Sequence, residues 1–176
     1  MSTEGMPGLK QNSLHERFES LLEHVREACL ACYGERLVSL FVFGSVGRGV
    51  PGPDSDLDLL VIARDLPAGR PARVAEFRAV EKALANRLAG VRDAIGRSPE
   101  LSPVFKTPEE AEQGSPLFLD MVEDGRSLHD RDDFMAKVLD RLRERLQVLG
   151  ARRIRRGNAW FWDLKPDYRI GEIFEV

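Results

Sequence analysis

Two aspartates, Asp56 and Asp58, stand one residue apart at the start of an apolar run in the segment SDLDLLVIA. If this run is a β-strand, the two carboxylates lie on the same face, about 6.6 Å apart along the backbone at about 3.3 Å per residue. Two such carboxylates repel each other and are costly to desolvate. A divalent cation removes that cost, and Mg²⁺ (or Mn²⁺) combines carboxylates with substrate phosphate oxygens. The pair therefore predicts a metal site for a phosphate-bearing substrate.

A glycine-containing turn, FGSVGRGVPG, comes directly before this pair and follows a first apolar run, RLVSLFVF. Gly44 allows a backbone to come close to a triphosphate, and Ser45 offers a hydroxyl and an N–H to its terminal phosphates. The turn and the carboxylates then serve one ligand, a metal-bound nucleoside triphosphate. The alternative for PGPDSD alone is a simple turn, in which Asp54 and Asp56 cap backbone N–H groups.

The same turn also satisfies the dinucleotide-binding pattern G-x-G-x-x-G, with Gly47, Gly49 and Gly52. That motif requires a helix whose N-terminus holds the pyrophosphate. Here Pro51 and Pro53 break any helix, and the next element is a strand. The pattern therefore does not indicate a Rossmann fold.

The spacing of these residues resembles the signature of the DNA polymerase β nucleotidyltransferase superfamily, and its minimal nucleotidyltransferases above all. Their pattern runs Gly-Ser-x-x-Arg-Gly and then Ser-Asp-x-Asp-Leu. The matching residues here are Gly44, Ser45, Arg48, Gly49, Ser55, Asp56, Asp58 and Leu59. The resemblance is firmest over residues 36–63 and extends more loosely to about residue 133. It implies an α/β (α+β) nucleotidyltransferase fold, with a mixed β-sheet flanked by helices.

The resemblance also implies an activity: transfer of a nucleoside monophosphate, AMP from ATP by preference, to an acceptor with release of pyrophosphate. Asp56 and Asp58 would be catalytic and hold Mg²⁺ or Mn²⁺, whereas Gly44, Ser45 and Arg48 would bind the nucleotide. Similar proteins pair with a small helical toxin of the HEPN type and can adenylylate it as antitoxins, or modify antibiotics or small metabolites. The rival expectation is an inactive protein of the same fold that neutralises a partner by contact alone.

A third carboxylate is where this sequence departs from the family pattern. Relatives usually place an Asp on the strand after the second helix, and that position falls on Ser102 here. Glu100 lies two residues earlier and would point to the same face of a strand. We expect Glu100 to be the third catalytic acid, in preference to Asp120, which would belong to a separate layer if its segment is helical. The remaining alternative is that the site has no third acid.

The elements around this motif alternate between helix and strand. Apolar spacing predicts helices over 14–32, after Pro71, and over about 132–149, the last with Gly150 as its C-cap. Strands are expected at RLVSLFVF, at DLDLLVIA in the sheet centre, and at ELSPVFKT on an edge because of Pro103. SPLFLDMVEDG fits either a helix or a strand. We expect a flexible N-terminus over 1–11, a nucleotidyltransferase core over 12–130, and a C-terminal helix and aromatic tail over 131–176 packed on that core.

Composition sets the remaining bounds. The 176 residues are 43% apolar and 31% charged with a net charge of −3, so overall charge gives no support to a nucleic-acid or membrane partner. The absence of a long apolar run or leader pattern predicts a cytoplasmic protein.

Cys29 and Cys32 are expected to be small buried side chains. The basic run RRIRR is expected on a solvated face, or as a surface for a polyanion or acidic partner. We expect the aromatic cluster AWFW to lie in the core.

Overall fold

The computed structural model describes residues 7–157, 159–170 and 172–174, so residues 1–6 of the predicted N-terminal segment lie outside it. The described helices, including the short turn α2, are α1 (Pro7–Tyr33), α2 (Gly44–Gly47), α3 (Arg70–Ile95), α4 (Pro108–Glu112), α5 (Pro116–Asp124) and α6 (Phe134–Val148). The described strands are β1 (Leu37–Phe43), β2 (Leu57–Ala63), β3 (Leu101–Lys106), β4 (Arg126–Asp130), β5 (Arg152–Arg156) and β6 (Ala159–Asp163).

Four strands form one mixed sheet in the order β3-β2-β1-β4. β1 runs antiparallel to both β2 and β4, whereas β2 and β3 are parallel. β2 is therefore central, and β3, with its Pro103, is an edge strand, as the sequence predicts. β5 and β6 form a separate antiparallel hairpin.

Helices cover both faces of the four-stranded sheet. On one face, apolar side chains of α1 and α3 pack against alternate residues of β1 and β2, such as Leu40 and Leu59. On the other face, α5 and α6 pack against the intervening residues, such as Phe41 and Leu60. Since both faces of β2 are covered, its residues after Asp58 are fully buried, which explains their continuous apolar run. The fold is the mixed α/β class that the sequence predicts.

The differences from the sequence-based prediction lie at element ends and in the polar segments. α1 begins at Pro7, not near Leu14, so residues 7–11 of the predicted flexible terminus are helical. The ambiguous segment is a helix, α5, and it is followed by a strand, β4, that no strand pattern in RSLHD predicts. RRIRR is strand β5 and not a helix face or loop.

Two smaller predictions can be checked in the same structure. Cys29 is buried, and burial together with Cys32 raises its pKa to about 12. Cys32 is only partly buried, and both thiols are free, so the expectation of buried side chains holds for Cys29 alone. Within the described residues, no helix combines the length and hydropathy needed to cross a membrane.

Candidate active site

The glycine turn and the two aspartates meet at one end of the β1–β2 pair. The antiparallel register places Phe43 opposite Asp58, so the residue after Phe43 lies against the Asp58 side chain. That residue is Gly44, with a φ of +66°. A Cβ added there would overlap Asp58 Oδ2 and would lie 3.2 Å from Asp58 Cγ. Only glycine combines this backbone conformation with such a close approach to a carboxylate.

Hydrogen bonds hold the turn to the segment that precedes the aspartates. The Ser45 and Ser55 hydroxyls lie 2.7 Å apart and share a hydrogen bond. The Gly52 N–H donates to Ser55 Oγ over 2.9 Å. Because Ser55 is next to Asp56, the predicted phosphate-binding serine and the predicted metal ligands belong to one connected loop.

The Asp58 carboxylate lies in surroundings that disfavour its ionised form. It is half-buried, and burial raises its pKa above the usual range, as does the nearby charge of Asp56, whereas Arg48 opposes the shift. The ionised form is therefore costly, and a cation placed against both aspartates would offset the cost. The two carboxylates therefore lie close enough for the charge of Asp56 to act on Asp58.

Asp56 has partners that the sequence did not indicate. Its Oδ1 forms an ion pair with the Arg97 guanidinium and accepts a hydrogen bond of 3.0 Å from the Glu100 N–H. Arg97 also donates to the Asp54 carbonyl over 3.2 Å. Arg97 follows Gly96, the C-cap of α3, and no helical or strand pattern in that loop points to an ion pair with Asp56. In this structure the Arg97 guanidinium pairs with the carboxylate charge of Asp56 that a metal ion would otherwise neutralise.

The strand β3 places the candidates for the third acid. Ser102 is the β-ladder partner of Asp58, the position that the family pattern assigns to a carboxylate. Glu100 lies just before β3, where its carbonyl accepts from Leu57 N over 2.9 Å, and its side chain is exposed. Asp120 lies on α5, in a different layer, and accepts a hydrogen bond of 3.1 Å from the Trp160 indole. The role of Glu100 stays a prediction.

The donor chemistry of the two aspartates fits a magnesium ion. Both offer hard oxygen ligands, and Asp58 carries a charge that burial penalises. Within the described residues there is no cluster of three or more acidic, histidine or cysteine side chains with metal-site geometry. Two carboxylates are nevertheless sufficient where substrate phosphates and water complete the shell, which is the usual arrangement for Mg²⁺. Asp56 and Asp58 would hold the ion once Arg97 is displaced.

Arg48, assigned from the sequence to the nucleotide, pairs with a carboxylate of α5 in this structure. It donates to Asp124 Oδ2 over 3.1 Å, and Arg153 makes two hydrogen bonds to the same carboxylate, at 3.0 and 2.7 Å. Burial disfavours ionised Asp124, but the hydrogen bonds from Arg153 and Arg48 outweigh it and lower its pKa. Both guanidiniums also lie over the Trp160 ring, Arg153 at 4.1 Å and Arg48 at 4.7 Å.

This cluster corrects two expectations for the C-terminal segment. Of the aromatic cluster, Trp162 packs on the core, but Trp160 is partly exposed beneath guanidiniums and Phe161 is 50% exposed. The basic run does not face only solvent, because Arg153 reaches Asp124 at the end of α5. The turn signal Gly157-Asn158 between RRIRR and AWFW would have indicated a hairpin, but nothing in the sequence names Asp124 as its partner.

Comparisons with known proteins identify a family and a relative of this chain. The family model described as "Nucleotidyltransferase domain" matches residues 22–129. The chain is 29% identical over 156 residues to "Putative protein adenylyltransferase MJ1305" of Methanocaldococcus jannaschii, covering 88% of this chain and 95% of that protein.

Two solved structures match with lower similarity. A structure described as "a putative nucleotidyltransferase from Sulfolobus solfataricus" has a TM-score of 0.44 and 16% identity, covering 75% of this chain and 95% of that one. A toxin-antitoxin structure with AMP-PNP has a TM-score of 0.38 and 18% identity, covering 73% and 95%. Agreement at this level supports no conclusion about partners.

Proposed function

The chain belongs to the nucleotidyltransferase domain family, and we propose that it transfers AMP from ATP to a hydroxyl of an acceptor protein with the help of Mg²⁺. One observation carries this proposal: Gly44 of the signature turn lies directly against the carboxylate of Asp58. A triphosphate held by the turn therefore lies beside the two carboxylates that would share its cation. Mg²⁺, when bound, neutralises the developing charge on the phosphates and orients them for in-line displacement.

The residues of the chain have separate tasks in this reaction. The Ser45 hydroxyl and the backbone N–H groups of the turn bind the terminal phosphates and fix the α-phosphorus in front of Asp56 and Asp58. An acceptor oxygen forms a bond to the α-phosphorus, and the bond from that phosphorus to the bridging oxygen of the β-phosphate breaks, so pyrophosphate leaves. Glu100 accepts the hydroxyl proton of the acceptor, because this exposed residue adjoins Asp56, whose carboxylate accepts a hydrogen bond from the Glu100 N–H.

Arg97 has to leave Asp56 before the aspartates can share a divalent cation. The ion pair is partly exposed, with 37% exposure for the Arg97 side chain and 36% for Asp56, so its net contribution to stability is small. A divalent cation held by Asp56 and Asp58 would therefore replace Arg97 at little cost in stability. The guanidinium of Arg97 would then be available to bind phosphate oxygens.

A protein acceptor is supported by the Methanocaldococcus jannaschii relative, whose name describes a protein adenylyltransferase and which aligns over 95% of its length. The sequence resemblance to minimal nucleotidyltransferases implies a more definite partner, a small helical toxin of the HEPN type. Within this proposal the chain is then an antitoxin that acts by adenylylating its partner. A toxin gene beside the gene for this chain would support that role.

A second candidate is a binding protein that neutralises its partner without catalysis. Two observations favour it: Ser102 stands opposite Asp58 where relatives carry an acid, and Arg97 neutralises Asp56. The two candidates differ in one respect that can be measured. Neutralisation of the partner by the variant Asp56→Asn, Asp58→Asn at wild-type level would favour contact alone, whereas loss of neutralisation would favour catalysis.

The proposed reaction is tested with ATP labelled at either the α- or the γ-phosphorus. The chain and Mg²⁺ are incubated with soluble extract from the organism that encodes it, and protein-bound label is separated by gel electrophoresis. We expect label from the α-position, none from the γ-position, and none with Asp56→Asn, Asp58→Asn. Label from the γ-position would indicate a kinase, and equal α-label with the double variant would exclude the two aspartates.

A further inference from the structure

A groove beside the active site has cationic walls that the proposed reaction does not use. It has a volume of about 440 Å³ and is lined by Arg48, Val50, Arg153, Arg155 and Trp160; we call it the Trp160 groove. It begins at the signature turn, since Arg48 and Val50 follow Gly44 and Ser45. That turn also contains Gly44, the residue that lies against Asp58. The groove therefore adjoins the predicted active site.

The walls of the groove carry positive charge, because every charged residue that lines it is an arginine. Arg48 and Arg153 share the carboxylate of Asp124, and Asp120 and Glu123 also lie close enough to act on Arg153. The guanidinium that these carboxylates leave for a ligand is therefore that of Arg155. Arg155 is exposed, and its side chain donates to the Gly157 carbonyl over 3.2 Å, a neutral acceptor. An anionic ligand would gain charge-assisted hydrogen bonds that the groove does not make internally.

The guanidiniums are held in place before any ligand arrives. Arg153 is fixed by two hydrogen bonds to Asp124 and by stacking on Trp160, and Arg48 lies on the same ring. The indole is fixed in turn by its hydrogen bond to Asp120. Such pre-organisation lowers the entropy lost on binding. It also covers part of the Trp160 ring, which leaves less of it for stacking on a nucleic-acid base.

We propose that the Trp160 groove binds an acidic stretch of the acceptor protein and so brings a neighbouring hydroxyl to the α-phosphorus. Carboxylates are the side chains that arginine binds in two-point geometry. A groove of this volume accommodates a few side chains, and the chain as a whole is acidic, with a net charge of −3, which disfavours a long polyanion. This inference rests on the proposed transfer to a protein, and it names the chemistry that selects the acceptor.

The experiment uses a random copolymer of glutamate and tyrosine, labelled with fluorescein, as an acidic probe with hydroxyls. Binding to the wild-type chain is measured by fluorescence anisotropy at low salt. Arg155→Glu should weaken binding at least about fivefold, since an attractive charge becomes repulsive. Arg156→Glu is the matched control: it makes the same charge change at the next, exposed residue of β5, outside the groove, and should change binding less than about twofold.

Three results would overturn the groove as an acidic-peptide site. One is the absence of copolymer binding by the wild-type chain, and another is an equal effect of Arg155→Glu and Arg156→Glu. The third is tighter binding of a twelve-residue oligouridine that Arg155→Glu abolishes, which would make the groove a nucleic-acid site. Calorimetry of Mg²⁺ and ATP with the same variants should show unchanged nucleotide binding. Copolymer bound in the groove without transfer of α-label to it or to extract proteins would refute the proposed reaction and not the groove.

Discussion

Replacing Gly44 by alanine tests the contact between the signature turn and Asp58. Gly44 has a φ of +66°, and the new Cβ would lie 3.2 Å from Asp58 Cγ and would overlap Oδ2. The left-handed backbone alone costs about 1–2 kcal/mol for a residue with a Cβ. The overlap must also displace the Asp58 carboxylate, or the turn, by several tenths of an ångström or more.

The control for backbone strain is Gly49→Ala. Gly49 belongs to the same turn and has a φ of +73°, but its Cβ would meet only His15 Cε1 at 4.0 Å. Both variants should therefore lose about 1–2 kcal/mol of stability from strain, or roughly 2–8 °C in Tm for a chain of this size. The variants should differ in function, because only Gly44→Ala moves a predicted metal ligand.

The expected loss of activity in Gly44→Ala follows from how small a displacement of its groups a catalytic site tolerates. Catalytic groups must be held within about 0.5 Å, and a misplacement of about 1 Å costs on the order of 10²-fold in rate. We expect Gly44→Ala to reduce nucleotide transfer by about that factor and Mg²⁺-dependent ATP binding about tenfold or more, with Gly49→Ala close to wild type. Thermal unfolding, calorimetry and the α-label assay measure the three effects. Wild-type activity in Gly44→Ala, or an equal loss in Gly49→Ala, would refute the reasoning.

Three other predictions concern the carboxylates and their partners. Arg97→Ala should tighten Mn²⁺ binding about threefold or more, because a competing cation is removed, and the electron paramagnetic resonance signal of Mn²⁺ measures this binding. Arg92→Ala, a control at an exposed arginine, should leave Mn²⁺ binding unchanged. Equal effects of the two variants would show that Arg97 does not compete with the metal. Glu100→Gln should slow transfer by about 10² to 10⁴ with Mg²⁺–ATP binding unchanged, and a loss with Asp120→Asn alone would show that the wrong acid was chosen. Because burial raises the pKa of Asp58, the folded chain loses stability as pH rises from the ordinary carboxyl range through the raised pKa. Asp58→Asn should thus raise the Tm at pH 7 but not at pH 3, and a lower Tm at pH 7 would contradict this.

The central part of the fold was predictable because its signals are local. β1 and β2 are apolar runs ended by Gly44 and opened by the aspartates, and the helices before and after them have regular apolar spacing. Each of these elements is specified by its own residues. The match of the family model over residues 22–129 confirms the family recognised from Gly44, Ser45, Asp56 and Asp58.

The rest of the site depends on contacts between residues far apart in the sequence. Arg97 reaches Asp56 across 41 positions, and Arg153 reaches Asp124 across 29. Neither pair has a spacing that a helix or strand pattern would reveal. β4 is short and polar because it lies at the sheet edge next to β1, so its sequence carries little strand signal. Sequence therefore predicted which residues would bind the phosphates and the metal, but not the ion pairs that Arg97 and Arg153 make around them.

The most direct test of the account is calorimetric titration of the chain with ATP in the presence of Mg²⁺ or of a chelator. We predict binding that requires the divalent cation in the wild-type chain and a loss of this requirement, with at least about tenfold weaker affinity, in Asp56→Asn, Asp58→Asn. Ser45→Ala should weaken ATP binding more than AMP binding, because only the triphosphate reaches the turn. Equal metal-dependent binding of ATP by the wild-type chain and the double variant would contradict the assignment of Asp56 and Asp58 as the site of metal-assisted nucleotide transfer.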